Sequence, residues 1–483
     1  MSQIQFQHLE FSYFEDSSPV FRDFSAAFDS EEITILTGRS GCGKSTLLYL
    51  AAGLYPQNGG FIRGGQVLLD GRDPDKIKPL ERCCLVTMMF QNPELQFCMD
   101  TVRNELIFCL ENIQEKPENF EARMASAAAF TGISHLMDRS LVSLSGGERQ
   151  KVMLACLVML EPDWLLLDEP FANIDNDSAR DIALSLKRLH EEKGTGILAV
   201  DHRLDNWLEV ADTVRVLEEG HLLEEAMPVR SLDPVFLEGH GIIIPGRSYE
   251  ASLPPCQEGG KVLELKDFSL SYGDKTILSD INIAFKRGVI TAIVGRSGCG
   301  KSSLFNALAG ITKFKGQALL EGRDIRHLKK EDVGKMGFVT QSPQDQFIGG
   351  TVRQEILSSL KKETEKESLS EQILRGIKLW RFRDISPYLL SQGQQRRLGV
   401  AALMAYPCRV LICDEPTYAQ DRINTLAIME GLCRQAREKN AALIFSTHDP
   451  QLAMDFCDEI YRLENGTLIR EDKSPSGQKE AKG

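Results

Sequence analysis

The chain repeats itself, and nothing else in it constrains the fold as strongly. "GRSGCGKST", beginning at Gly38, returns as "GRSGCGKSS" at Gly295. "QNPELQF" from Gln91 returns as "QSPQDQF" from Gln341, each followed by a Thr-Val-Arg and then a Glu. "LSGGERQ" from Leu144 returns as "LSQGQQR" from Leu390, and "LLLDEP" from Leu165 as "LICDEP" from Leu411. "VDH", ending at His202, and "STH", ending at His448, close the series in the same order. Order kept at nearly constant spacing predicts a duplicated domain. The copies are expected at 1–230 and 261–472. The stretch 231–260 holds Pro234, Pro245, Pro254 and Pro255 with several glycines, a linker composition. Residues 473–483, "KSPSGQKEAKG", read as a disordered tail.

Within each copy, short apolar runs ending at a polar or glycine residue alternate with helix-period segments. "EITILTG", "DWLLLDE" and "GILAVDH" have the look of buried parallel strands, as do "VITAIVG", "RVLICDE" and "ALIFSTH" in the second copy. "SLKRLHEEKG" and "LCRQAREKN" are polar and helical between them. Strands alternating with helices predict an α/β fold with a parallel sheet covered on both faces. Residues from about 95 to 160 and from about 345 to 405 are mainly helical in pattern and predict a subdomain in each copy.

Composition narrows the class. The chain is 42% hydrophobic and 26% charged, ordinary for a globular protein, and no run of eighteen apolar residues is present to span a bilayer. The N-terminus "MSQIQFQHLE" lacks an apolar signal region, which predicts a cytoplasmic protein. A net charge of -13 argues against bulk nucleic-acid binding. The twelve cysteines show no metal-ligand spacing and are expected as free thiols in a reducing compartment.

The repeated glycine-rich motifs carry the chemistry. Gly38, Arg39, Ser40, Gly41, Cys42, Gly43, Lys44, Ser45 and Thr46 follow an apolar strand and open a helix. Gly295, Arg296, Ser297, Gly298, Cys299, Gly300, Lys301, Ser302 and Ser303 do the same. Such P-loops turn backbone N–H groups around nucleotide phosphates, and the helix N-terminus behind them favours negative charge. Lys44 and Lys301 are placed to reach the terminal phosphates, and the Ser45 and Ser302 hydroxyls to bind Mg²⁺. Asp168 and Asp414 end apolar strands, where a carboxylate holds Mg²⁺; the adjacent Glu169 and Glu415 can polarise an attacking water. His202 and His448 follow strands of their own at matching positions.

"LSGGERQ" after a P-loop and before "LLLDEP" resembles the signature of ABC-type ATPases, and the resemblance covers both copies almost end to end. It implies two tandem P-loop NTPase domains that bind ATP and Mg²⁺ and pair head to tail. Each ATP would then lie between one P-loop and the other copy's signature, Ser145, Gly146 and Gly147 or Ser391, Gln392 and Gly393. Gln392 departs from the family pattern by replacing the first signature glycine, which predicts unequal turnover at two working sites. The resemblance makes Tyr13 and Tyr272 the aromatics that stack on adenine and places Asp175 and Asp421 at the D-loop. It makes His202 and His448 catalytic, and gives Gln91 and Gln341 contact with Mg²⁺ or the lytic water.

The Gln-x-Pro-x-x-Gln cassette is similar to that of energy-coupling-factor (ECF) transporter ATPases. That likeness implies a membrane T component docking beside Gln91 and Gln341, a substrate-binding S component, and uptake of a vitamin, a vitamin precursor or a transition-metal ion. The protein would then sit at the cytoplasmic side of the cell membrane. Alternatives are a soluble ABC ATPase acting on ribosomes or DNA, a fused sugar-importer ATPase, and a nucleotide-binding scaffold without turnover. Intact motifs in both copies weigh against the scaffold, the intact second P-loop against the sugar importer, and the short, weakly charged connector against a ribosome factor.

Overall fold

The structure, a computed structural model, describes residues 2–473 except 92–95, 172–173, 175, 224–225, 274, 297, 330–331, 333, 341–342, 361–364 and 407. Gln341, Ser297, Asp175, the centre of the first Gln cassette and most of the expected tail therefore lie outside the described residues. The chain divides into two compact units, residues 1–245 and 246–483.

In the first unit the central sheet runs in the order Met227–Pro228, Thr213–Glu218, Ile33–Thr37, Gly196–Val200, Trp164–Asp168, Val86–Met89. The four strands from Ile33–Thr37 to Val86–Met89 pair in parallel, as does Thr213–Glu218. Ile33–Thr37, Trp164–Asp168 and Gly196–Val200 are buried at every position. That is why they read as unbroken apolar runs: with both faces covered, no position alternates to solvent. A separate antiparallel sheet of Phe21–Asp29, Gln3–Ser12 and Phe61–Leu69 brings Ile4, Phe6, Leu9 and Phe11 into a second core with Leu47, Leu48 and Trp164. The helices Val102–Asn112, Phe120–Thr131 and Gly146–Met159 form the expected helical part, packed through Leu106, Met124 and Met153.

The second unit repeats this plan. Its parallel strands are Met336–Val339, Val410–Cys413, Ala442–Thr447, Ile290–Val294 and Glu459–Glu464, edged by antiparallel Thr467–Glu471. Lys275–Lys286, Lys261–Tyr272, Lys315–Leu320 and Arg323–Asp324 make the antiparallel sheet. Val352–Ser359, Lys366–Gly376 and Gln392–Ala405 are its helical part. In both units the P-loop, the Asp-Glu pair and the histidine follow parallel strands at their C-terminal ends, where open α/β sheets present their chemistry.

The stretch 231–260 is divided between the units and packs on each. Pro234–Gly239 is a short helix capped by the Asp233 side chain, with Leu237 and Ile242 fully buried. Tyr249, on the other side of the boundary, is 3% exposed. Proline and glycine content marks where regular structure stops, but a few apolar side chains suffice to hold such a stretch against a core. Among the described residues no helix is long and apolar enough to cross a membrane.

Candidate functional site

The first phosphate loop leaves the end of Ile33–Thr37 and enters the helix Lys44–Ala51. Gly38 has φ +141°, and a Cβ there would sit 2.1 Å from the Leu217 carbonyl oxygen, so only glycine fits. Lys44 is buried and donates from Nζ to the Gly38 and Arg39 carbonyls at 2.8 and 3.0 Å. Lys301 repeats this with Gly295 and Arg296 at 2.7 and 3.1 Å. Each ammonium is thus held inside its loop by the backbone that would cradle a phosphate. Thr46, the third residue of the helix, shares a 2.5 Å hydrogen bond with the Tyr13 hydroxyl, which ties that half-exposed aromatic to the loop. Tyr272 ends its strand, 48% exposed.

The carboxylates converge on these loops. Ser45 Oγ donates to Asp168 at 3.0 Å, and Ser302 is hydrogen-bonded to Asp414. A hydroxyl and a carboxylate side by side form the hard-oxygen pair that suits Mg²⁺. Burial, with the Glu169 charge beside it, pushes Asp168 up to about 7. Burial also raises Glu169, but His202, Lys44 and Gln91 outweigh it and leave that carboxyl below its ordinary value. Gln91 donates to one Glu169 oxygen at 2.7 Å and His202 Nε2 meets the other at 3.1 Å. Lys44, Ser45, Gln91, Asp168, Glu169 and His202, scattered over the sequence, therefore form one cluster. In the second unit His448 pairs with Glu415 at 3.1 Å, and Glu415 is again held low against burial by His448 and Lys301.

The two clusters are not identical. Ser446 donates to Asp414 at 2.5 Å and accepts from the Glu415 N–H at 2.9 Å; Val200 occupies the matching strand position in the first unit and offers only its carbonyl to the Glu169 N–H. Arg396, 1% exposed, donates to the carbonyls of Thr340 and Asp414 at 2.5 and 3.2 Å. Its counterpart in the first unit is the neutral Gln150, also buried. Sequence reasoning passed over both exchanges, although aligning the repeats exposes them.

Ser145 and Ser391 cap the helices Gly146–Met159 and Gln392–Ala405, each with a complete capping box through Glu148 or Gln394. Gln392 occupies the first helical position. Gly393 is the constrained position: a Cβ there would lie 2.7 Å from the Ala419 carbonyl oxygen.

The second glutamine and the following glutamate of the cassette have roles that the sequence left open. Gln96 accepts from the Phe90 N–H at 2.8 Å and donates to the Met88 carbonyl at 3.1 Å, closing the loop back onto its strand. Gln346 accepts from the Thr340 N–H at 3.3 Å. Buried Glu105 takes the N–H groups of Cys98 and Met99 at 2.9 and 2.8 Å, and Glu355 those of Ile348 and Gly349 at 2.9 and 2.6 Å. The cassette is thus anchored at one end to the sheet and at the other to the first helix of the helical part.

The model of the ABC transporter family matches residues 21–172 and 278–418, both copies. The chain belongs to the ABC transporter family. As an ABC ATPase it binds and hydrolyses ATP. It is 34% identical to the putative HMP/thiamine import ATP-binding protein YkoD of Bacillus subtilis, over 97% of this chain and 91% of that protein. A putative ABC transporter ATP-binding protein of Sulfurisphaera tokodaii is 30% identical over 97% of this ABC ATPase and 98% of its own length. Among solved structures, a chain of the ribosome-bound archaeal Pelota and ABCE1 model aligns with a TM-score of 0.69 at 19% identity, covering 96% of this chain and 79% of that one. At that identity the likeness concerns the tandem fold alone.

Proposed function

We propose that this ABC ATPase is the energy-coupling subunit of an ECF-type importer, hydrolysing ATP to drive uptake of HMP or thiamine through separate membrane subunits. The observation that carries this reading is the full-length similarity to a putative HMP/thiamine import ATP-binding protein, together with two complete carboxylate–histidine clusters in one chain. The anchored Gln cassette supports the same reading, because it runs from the catalytic glutamate to the helical part.

In this mechanism each P-loop binds one ATP, and the capped N-termini of Gly146–Met159 and Gln392–Ala405 are further phosphate-binding ends. Lys44 and Lys301 hold the terminal phosphates, and backbone N–H groups of Gly38 to Thr46 and Gly295 to Ser303 surround them. Ser45 and Asp168, and Ser302 and Asp414, would hold Mg²⁺, which would supply positive charge against the phosphates. Glu169 and Glu415 orient the attacking water, with His202 and His448 fixing the carboxylates and facing the terminal phosphate. Tyr13 and Tyr272 face the adenine. Gln91 and Gln341 sense the phosphates and move with the helical part, on which a membrane T component docks; an S component binds the cargo. Localisation at the cytoplasmic face of the membrane follows from those partners.

Co-expression with candidate membrane subunits tests this. A T-like subunit and a small S-like membrane protein should copurify with the tagged chain, and vesicles containing all three should accumulate thiamine or HMP only with ATP inside the ATPase compartment. Recovery of ribosomes without membrane proteins would overturn the reading.

A further inference from the structure

We propose that the stretch joining the two copies is a working part of both ATP-binding units, and that Tyr249 in it is a positioning residue for His448. The inference rests on reading His202 and His448 as the residues that face the terminal phosphate.

In the first unit the stretch touches both the phosphate loop and the histidine. The Gly239 carbonyl accepts from the Arg39 guanidinium at 3.2 Å, and Arg39 also pairs with Glu218 at 3.4 Å. Four residues on, Ile243 donates its N–H to the His202 carbonyl at 2.9 Å and accepts from the Leu204 N–H at 3.2 Å. This short parallel bridge between Arg203 and Ile243 fixes the backbone that leaves the histidine.

In the second unit the hold is made by a side chain. The Tyr249 hydroxyl donates to Asp449 at 3.0 Å, and Asp449 is the residue that follows His448. Asp449 is buried and caps the helix Pro450–Phe456 with its other oxygen, through the N–H groups of Gln451 and Leu452. Tyr249 is itself fixed: its N–H donates to Asp455 at 2.7 Å, its ring packs 6.0 Å from Phe456, and the Arg422 guanidinium covers it at 4.8 Å. Arg422 opens the helix after Asp421 and also binds the Ser248 carbonyl. A loose linker has no need of a buried phenol hydrogen-bonded beside a catalytic loop, since ordering it costs entropy that a tether would not spend.

A hydroxyl that fixes Asp449 fixes the start of the helix and, one residue back, the direction of the His448 ring toward Glu415. Its removal should slow the step that needs this alignment and leave nucleotide affinity alone, because neither ring packing nor the P-loop changes; the lost hydrogen bond lowers stability without unfolding the chain.

The test uses the purified full chain with Mg²⁺ and ATP in a Glu169→Gln background, so that turnover reports the second unit. Tyr249→Phe is expected to lower kcat about fivefold, with the KM for ATP within about twofold of its parent and the melting temperature down by only a few degrees. Tyr461→Phe, an outlying phenol, is expected to match the parent, and His448→Ala to lose turnover. If His448→Ala loses turnover while Tyr249→Phe behaves as the parent, the positioning role is overturned. If the fall in kcat disappears when the assay is run well below the melting temperature, the contact is only structural and the proposal falls. If His448→Ala keeps full turnover, the reading of the histidine fails first and the inference with it.

Discussion

Gln91 donates from Nε2 to the Glu169 carboxylate at 2.7 Å, so the glutamine that begins the repeated cassette touches the glutamate that ends a central strand. This contact joins the start of the loop leading to the helical part to the carboxylate that also meets His202 at 3.1 Å.

Glu169→Gln and Glu415→Gln should each suppress turnover at their own site by about 100-fold or more, the range lost with a general base. The two variants are expected to keep different residual rates, because Ser446 and Arg396 brace the second pair and Val200 and Gln150 stand opposite them. Steady-state ATPase assays on both variants decide it; identical losses would count against unequal sites.

Arg396→Gln copies into the second unit the residue that the first unit carries. It removes a buried guanidinium bound to the Thr340 and Asp414 carbonyls, so the second unit should lose about 1–3 kcal/mol of stability. The residual rates of Glu169→Gln and Glu415→Gln should also converge in this background. Urea unfolding followed at Trp380, together with the paired assays, reads both effects.

Cys42 and Cys299 lie inside the phosphate loops and are partly exposed, and Cys42 Sγ is 3.9 Å from Lys44 Nζ. Iodoacetamide should inactivate the protein, and ATP at ten times its Kd should slow this about tenfold. Peptide mapping with and without ATP checks it: equal labelling rates would refute protection.

Asp201, next to His202, is pushed up to about 6 by burial, against the hydrogen bonds it accepts from Arg203 and Trp207. Its folded pKa lies above the unfolded value, so the native state holds this proton more tightly. The contribution to stability is therefore full below about pH 4 and is lost as pH rises to about 6. Asp201→Asn should flatten that slope by on the order of 2 kcal/mol, measured by urea unfolding of the first unit from pH 4 to 8.

The sequence by itself determined the duplication, the α/β class, the helical parts and nearly all of the described clusters: Lys44, Ser45, Gln91, Asp168, Glu169 and His202 in the first unit, and Lys301, Ser302, Asp414, Glu415 and His448 in the second. These are legible because each is local, a loop of fixed chemistry at the end of an apolar run. Tertiary structure alone decided the rest. Gln96 and Glu105 read as ordinary polar residues until folding puts backbone N–H groups within their reach. Gln392 stands out as a departure from the signature pattern, while only the fold shows that its neighbour Gly393 packs against the Ala419 carbonyl. The stretch 231–260 has a linker's composition, but Leu237, Ile242 and Tyr249 are buried, because burial depends on which surface passes nearby and not on the neighbours in the chain. Local pattern specifies which groups do the chemistry; only packing specifies what holds them still.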